Sequence, residues 1–412
     1  MLIEFTVGNY RSFKEPVTLS MVAANLVSQD KSVDENNVFF VDEKLSLLKS
    51  AAIYGANASG KSNLAKALNF MVWFMVNSSR ETQSTDEIDV EPFLLSTETE
   101  SQPSFFELVF LIEGQKYRYG FEATSERVVA EWLYTVPKSR ETNLFDRDLT
   151  RIKSSKALQT SGIEPRTRPN ALFLSVCAQF NVAIVERILA WLTKNLQVTS
   201  GFDKIADLNR TISKLKSNLF QEKIVQLVKN LDLSITDIKV TAHGIDKIYG
   251  SKEDFPEEFT LVHTMHKRFD KENNPSANVN LLLEFHESEG TRKIFALAGT
   301  LIDVLAEGSI LVIDELDAKL HPLITRSIIE LFHKPKSNLN NAQLIFMTHD
   351  TNLLSNKIFR RDQIWFTEKD RYGATALYSL AEYNIRNDAS FESDYIKGKY
   401  GAVPYIGDLQ FI

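Results

Sequence analysis

The segment Gly55-Ala56-Asn57-Ala58-Ser59-Gly60-Lys61-Ser62 constrains this chain more than any other, because it fits G-x-x-x-x-G-K-[ST] at every fixed position. Its context fits as well. The apolar stretch Leu47 to Tyr54 runs into it as a strand, and a helix leaves it with Leu64, Leu68, Met71 and Met75 spaced along one face. Strand, glycine-bearing turn and helix together make a phosphate cradle. The glycines let backbone N–H groups crowd round an anion, and the helix amino terminus adds a favourable partial charge. Lys61 can reach the β- and γ-phosphates of ATP, and the Ser62 hydroxyl can ligate Mg²⁺. The expected nucleotide contacts are therefore Gly55, Asn57, Ser59, Gly60, Lys61, Ser62 and Asn63.

A phosphate loop needs carboxylates on a second strand. Ser309 to Ile313 is a buried-looking apolar run that ends in Asp314-Glu315. Asp314 can hold the Mg²⁺ shell. Glu315 can act as general base on the attacking water.

The 412 residues suffice for one large domain or two ordinary ones, and 43% hydrophobic with 25% charged residues is the balance of a soluble globular chain. The most apolar run, Phe70 to Val76, falls far short of the ~20 residues a membrane helix needs. With no export signal after Met1 and a single cysteine, Cys177, read as a buried structural thiol, the expectation is a cytoplasmic protein without disulfides or membrane contact. The net charge of −7 argues against a surface coated for nucleic acid. One local exception is Lys138 to Arg168. Eight basic residues there (Lys138, Arg140, Arg147, Arg151, Lys153, Lys156, Arg166, Arg168) meet four acidic ones (Glu141, Asp146, Asp148, Glu164). A solvated face or loop and a nucleic-acid contact both fit that segment.

Leu2 to Met21 reads as a hairpin, as do Phe105–Phe110 and Lys116–Phe121 around Glu113-Gly114. Helical patterns cover Asn181–Asn195 and Asp207–Leu231, and strand and helix alternate again after Val279. The expected organisation is a nucleotide-binding core in two parts, residues 1–138 and 279–412, split by a mainly helical insertion, residues 139–278.

Three further motifs carry a family resemblance. Leu316-Asp317-Ala318-Lys319-Leu320-His321-Pro322 resembles the D-loop of ABC, SMC and RecF-like ATPases. Glu287-Ser288-Glu289-Gly290-Thr291-Arg292-Lys293 resembles their signature motif, and Gln343 to Asp350, a strand ending in Thr348-His349, resembles the histidine switch. The fold implied is α/β, an ABC-type P-loop nucleotide-binding domain with a mixed sheet and a helical insertion. The resemblance implies a homodimer that sandwiches ATP, with Ser288 and Gly290 facing the nucleotide of the other copy and Asp317 at the dimer boundary. His349 would contact the γ-phosphate, the alternative being an ordinary strand-end histidine. Asn9-Tyr10-Arg11-Ser12-Phe13 resembles the start of SMC and RecF-like proteins, where Arg11 either approaches a phosphate or is a plain exposed arginine. The class also uses a glutamine as a Mg²⁺ link. The best candidate is Gln179, after Leu172 to Ser175 read as a strand.

Within this class the chain is similar to the overcoming-lysogenization-defect-like and abortive-infection ATPases, RloA-like members above all. The resemblance rests on Tyr54 to Gly60, on Gln363-Ile-Trp-Phe-Thr-Glu368-Lys369-Asp370, and on Tyr395 to Pro404. Full-length members carry a Toprim nuclease with an Asp-x-Asp pair. The 63 residues after His349 (412 minus 349) contain none, so the expectation is a separate effector, a nuclease or toxin, regulated by this chain. A RecF-like DNA clamp is the competing reading, and a transporter nucleotide domain is a third.

Overall fold

A computed structural model describes residues 1–137, 140–200, 204–244 and 258–404. Lys138 and the expected 138/139 boundary lie outside the described residues. In the first part, β1 (Leu2–Gly8) and β2 (Val17–Ser20) precede α1 (Lys31–Asn37), β3 (Val38–Phe40) and β4 (Ser46–Leu48). β5 (Ser50–Tyr54) then leads through the glycine loop into α2 (Lys61–Asn77). β6 (Ser104–Ile112), β7 (Gln115–Ala123), β8 (Val128–Val136), β9 (Thr142–Arg147) and β10 (Ile152–Ser154) follow. The middle holds α3 (Phe173–Gln179), α4 (Ala183–Asn195), β11 (Leu196–Ser200), α5 (Lys204–Leu215) and α6 (Asn218–Leu231). Next come β12 (Ile235–Gly244), β13 (Glu258–Phe269), β14 (Pro275–Leu282), α7 (Leu283–His286) and α8 (Glu289–Glu307). The chain continues through β15 (Ile310–Asp314), α9 (Pro322–His333), β16 (Gln343–Met347), β17 (Ile364–Lys369), β18 (Thr375–Ser379) and α10 (Phe391–Ile396).

Two large sheets organise these elements. One is antiparallel, in the order β10-β9-β8-β7-β6-β1-β2; the other is mixed, in the order β11-β15-β16-β5-β17-β18. In the mixed sheet β11, β15, β16, β5 and β17 run parallel, and only β18 is antiparallel. Its central strands bury both faces, which is why they read as unbroken apolar runs. On one face Ala51, Ile53, Ile310, Val312, Ile345 and Met347 share a core with α2, α3, α4 and the antiparallel sheet. Ala52, Tyr54, Leu311, Ile313, Leu344 and Phe346 pack the other face against α8 and α9. α2 is thus held between the sheets, with Phe70 stacked between Tyr10 and Phe74 and against Phe106. The fold is α/β with an ABC-type layout, the loop strand β5 and the carboxylate strand β15 flanking β16. Among the described residues, no single helix is long and apolar enough to cross a membrane.

The middle of the chain departs from the expected helical insertion. β9 and β10 extend the antiparallel sheet, β11 forms an edge of the mixed sheet, and β12-β13-β14 make a separate antiparallel sheet. β12 to β14 escape a hydrophobicity reading because much of their length is polar; β14 is exposed over Pro275–Asn280. Leu172–Ser175, expected as a strand, opens helix α3 instead. A short, fully apolar run is compatible with either element. Here the buried Glu131 carboxylate decides, accepting from Phe173 N (2.7 Å) and Leu174 N (2.9 Å) at the helix start.

Candidate functional site

Parallel strands deliver their carboxyl ends to one edge of a sheet, and ligands of open α/β folds collect there. Register makes this concrete. Ile313 of β15 lies beside Phe346 of β16, Met347 of β16 beside Ile53 of β5, and Phe366 of β17 beside Tyr54. The residues that follow, Asp314-Glu315, His349, the loop from Gly55, and Lys369, therefore converge. They line one cavity of about 550 Å³, together with Asn57, Ala58, Ser59, Gly60, Lys61, Ser62, Asn63 and Met347.

The loop is braced from the β17–β18 side. Ser59 Oγ and Thr367 Oγ1 are 2.6 Å apart, and Thr375 Oγ1 donates to Ser59 O at 2.8 Å. Gly60 caps α2 with φ of +116°, and a Cβ there would lie 2.5 Å from Thr375 Oγ1, so only glycine fits. Lys61 folds over the loop, donating to Gly55 O (2.7 Å) and Ala56 O (2.9 Å). Burial pushes its ammonium down to about 8, although Asp314, Asp317 and Glu315 oppose the shift. An anion in the cradle would offer this ammonium better acceptors than the two carbonyls.

The carboxylate side is equally built. Among the described residues Asp314 Oδ1 is buried without a hydrogen-bond partner. An orphaned carboxylate oxygen across the cavity from the Ser62 hydroxyl fits a hard, oxygen-preferring cation that keeps several waters, as Mg²⁺ does. Glu315 adopts φ of +57°, a left-handed conformation that is costly for a residue with a Cβ. Lys293, from α8, holds that turn. Its Nζ donates to Glu315 O (2.8 Å), Leu316 O (3.0 Å) and Ala318 O (3.0 Å), and burial lowers its pKa to about 8. The sequence pointed to the segment containing Lys293 but gave no sign of this role, since the acceptors are backbone atoms.

His349 follows β16, and its amide donates to Asp317 Oδ2 at 3.4 Å. Desolvation in the cavity, aided by Lys61, holds its imidazole below the ordinary histidine range, hence neutral at pH 7. Among the described residues Asp317 Oδ1 is buried without a partner, while its Oδ2 accepts from that His349 amide. Ser288 caps α8, accepting from Thr291 N at 3.1 Å. Gly290 has no room for a side chain, since a Cβ would lie 2.8 Å from Lys319 O, and Lys319 pairs with Glu289. The Ser288–Gly290 segment and the turn at Lys319 are thus packed together, outside the residues that line the loop cavity. The separate sheet grips the same helix start, with Glu287 bonded to Thr264 and, at 2.6 Å, to His266.

Two expected contacts lie elsewhere. Gln179 ends α3 and donates to Ser79 O, beyond the far end of α2. A helix of 17 residues, about 25 Å long, separates it from Ser62, so it is no Mg²⁺ ligand in this arrangement. Arg11 pairs with Glu91 at 2.8 Å instead of entering the cavity. Its neighbour Ser12 is the residue that meets the loop, accepting from Asn63 Nδ2 (2.8 Å) and Thr375 N (2.7 Å). Lys369, at the end of β17, lines the cavity and was not among the expected contacts.

The family model described as "AAA domain, putative AbiEii toxin, Type IV TA system" matches residues 50–173 and 186–355, more than half of the chain. The chain belongs to this AbiEii-type AAA family. Among curated proteins none matches. Among solved structures, this AbiEii-type AAA protein is similar to the SMC head domain from Thermotoga maritima, at 13% identity and a TM-score of 0.43, covering 92% of this chain and 98% of that one. The Smc head domain with a coiled coil and joint derived from Pyrococcus yayanosii gives 11% and 0.45, covering 97% and 99%. The recombination mediator RecF bound to ATP, from the RecFOR pathway, gives 12% and 0.33, covering 92% and 97%.

Proposed function

We propose that this chain is an ATP-hydrolysing switch that closes as a homodimer and controls a separate effector in a bacterial anti-phage or toxin-type system. The observation that carries the reading is the single cavity shared by Lys61, Ser62, Asp314, Glu315 and His349. Lys61 leaves the Gly55 and Ala56 carbonyls and binds the β- and γ-phosphates, while the loop amides and the α2 amino terminus surround them. Ser62 and Asp314 hold Mg²⁺, which when bound neutralises charge on the phosphate oxygens. Glu315 accepts a proton from water as that water attacks the γ-phosphorus. The bond to the bridging oxygen breaks, leaving ADP and inorganic phosphate. Neutral His349 donates a hydrogen bond to the γ-phosphate and loses that partner after hydrolysis. Ser288 and Gly290 of the second copy close the site, a contact to which Ser288, Glu289 and Lys319 are exposed. The defence-system role rests on the family description, which names a toxin of a toxin–antitoxin system.

Replacing Glu315 by Gln removes the base but keeps shape and the loop. ATP hydrolysis should fall by ~10²–10⁴, with ATP still bound. Light scattering with ATP and Mg²⁺ should then show more dimer than for the unmodified chain. An unchanged hydrolysis rate would remove Glu315 from this role.

A further inference from the structure

We infer that Lys369 is a second phosphate-binding cation of the nucleotide cavity, acting together with Lys61. This rests on the ATP-binding reading above. The sequence singled out Gln363 to Asp370 only as a family likeness; Thr367 within it braces the loop, while among the described residues Lys369 lines the cavity without a bracing side-chain contact. β17 runs parallel to β5 with Phe366 beside Tyr54, so the end of β17 and the start of the loop lie side by side. Thr367 lies against Gly55, where a Cβ would meet Thr367 O at 2.4 Å, and Lys369 lines the same cavity as the exposed loop residues Asn57 and Ala58.

Side chains alternate along a strand, so Lys369 shares the face of Thr367, whose hydroxyl touches Ser59. Glu368 takes the other face, accepting from Tyr378 OH at 2.9 Å. The next carboxylate is committed as well. Asp370 Oδ1 accepts from Tyr372 N and Ala374 N, both at 2.9 Å, and so fixes the β17–β18 turn. Neither neighbour neutralises Lys369, and among the described residues its ammonium has no hydrogen bond or ion pair. An unpaired cation on a rigid hairpin, at the rim of a cavity already shaped for phosphates, suits an anion that arrives from solution. The hairpin is fastened to the loop through Ser59 and to Ser12 through Thr375 N, so the backbone that carries Lys369 is held in place relative to the cradle before any ligand binds.

The test is calorimetry of Mg²⁺-ATP binding to the full chain with Lys369→Ala, Lys369→Arg and, as reference, Lys61→Ala. One charge-assisted hydrogen bond lost should weaken ATP by about tenfold in Lys369→Ala. Lys369→Arg should stay within about threefold, since a guanidinium also binds phosphate. The ligand-free melting temperature should not move, because the side chain is exposed and unpaired. Wild-type affinity in Lys369→Ala, with binding lost in Lys61→Ala, overturns this inference alone. Equal losses in both Lys369 variants with a lowered melting temperature also overturn it, by showing a structural role. An unmodified chain that binds no ATP overturns both this inference and the proposed function.

Discussion

Replacing Lys293 by Met tests whether the turn after β15 must be held for hydrolysis. Two opposing terms set its effect on stability. Keeping a charged ammonium in a site that lowers its pKa from 10.5 to about 8 costs about 3 kcal/mol, which Met removes. Met also strands the carbonyls of Glu315, Leu316 and Ala318, at about 1–3 kcal/mol each, nearer the lower end for the two that are only partly buried. The balance is a net loss of roughly 0–3 kcal/mol, within the usual 5–15 kcal/mol stability of a domain, so the variant folds. The local consequence is larger. Glu315 holds φ at +57°, a conformation costing about 1–2 kcal/mol that the Lys293 contacts help sustain. Once released, its carboxylate drifts, and a displacement near 1 Å can cost about 10²-fold in rate. We therefore expect kcat for ATP to fall about 10²-fold with KM within a few-fold of wild type, while the melting temperature drops by only a few degrees. Steady-state ATPase kinetics and a thermal melt measure both. A kcat within threefold of wild type would show that the turn needs no clamp, and the reasoning fails.

Lys61 and Gln179 give two further expectations. Burial lowers Lys61 to about 8 in the free protein, whereas bound phosphates keep it protonated, so ATP binding should take up about half a proton at pH 8 and nearly one at pH 9. Affinity should accordingly fall by up to about tenfold per pH unit above 8, and calorimetry in buffers of different ionisation enthalpy reads the uptake directly. No uptake at pH 9 would mean that Lys61 is not the responding group. Gln179→Ala should leave kcat and the Mg²⁺ dependence of ATPase activity unchanged, because Gln179 donates to Ser79 O at the far end of α2 from Ser62; a tenfold rise in the Mg²⁺ requirement would contradict the placement.

How much was legible before the structure follows from where the information lies. The phosphate loop demands glycine, lysine and serine at fixed spacing, so Gly55 to Ser62 announced itself, and the strand before it followed. Asp314, Glu315 and His349 were readable because each ends an apolar strand, and parallel strands end at one edge. Lys293 was not, since it binds carbonyls whose position depends on tertiary packing. Lys369 needed the register of β17 against β5, which no local pattern encodes. The sheet β12-β13-β14 was missed because β14 is largely solvent-facing and carries no buried alternation. Gln179 misled because an apolar run such as Leu172 to Ser175 does not tell strand from helix, and the helix turned the glutamine toward Ser79.

The central claim is that ATP is hydrolysed between two copies, the loop of one meeting Ser288 and Gly290 of the other. Mixing two inactive variants tests it most directly. Lys61→Ala cannot hold ATP but presents an intact Ser288; Ser288→Arg keeps its loop but blocks its partner's nucleotide with a bulky side chain. Each alone should be nearly inactive. In an equimolar mixture half of the dimers are mixed, and each contains one complete site of two, so ATPase activity should return to at most about a quarter of wild type. Activity that stays absent although mixed dimers form, or Ser288→Arg hydrolysing ATP at the wild-type rate alone, would contradict the account.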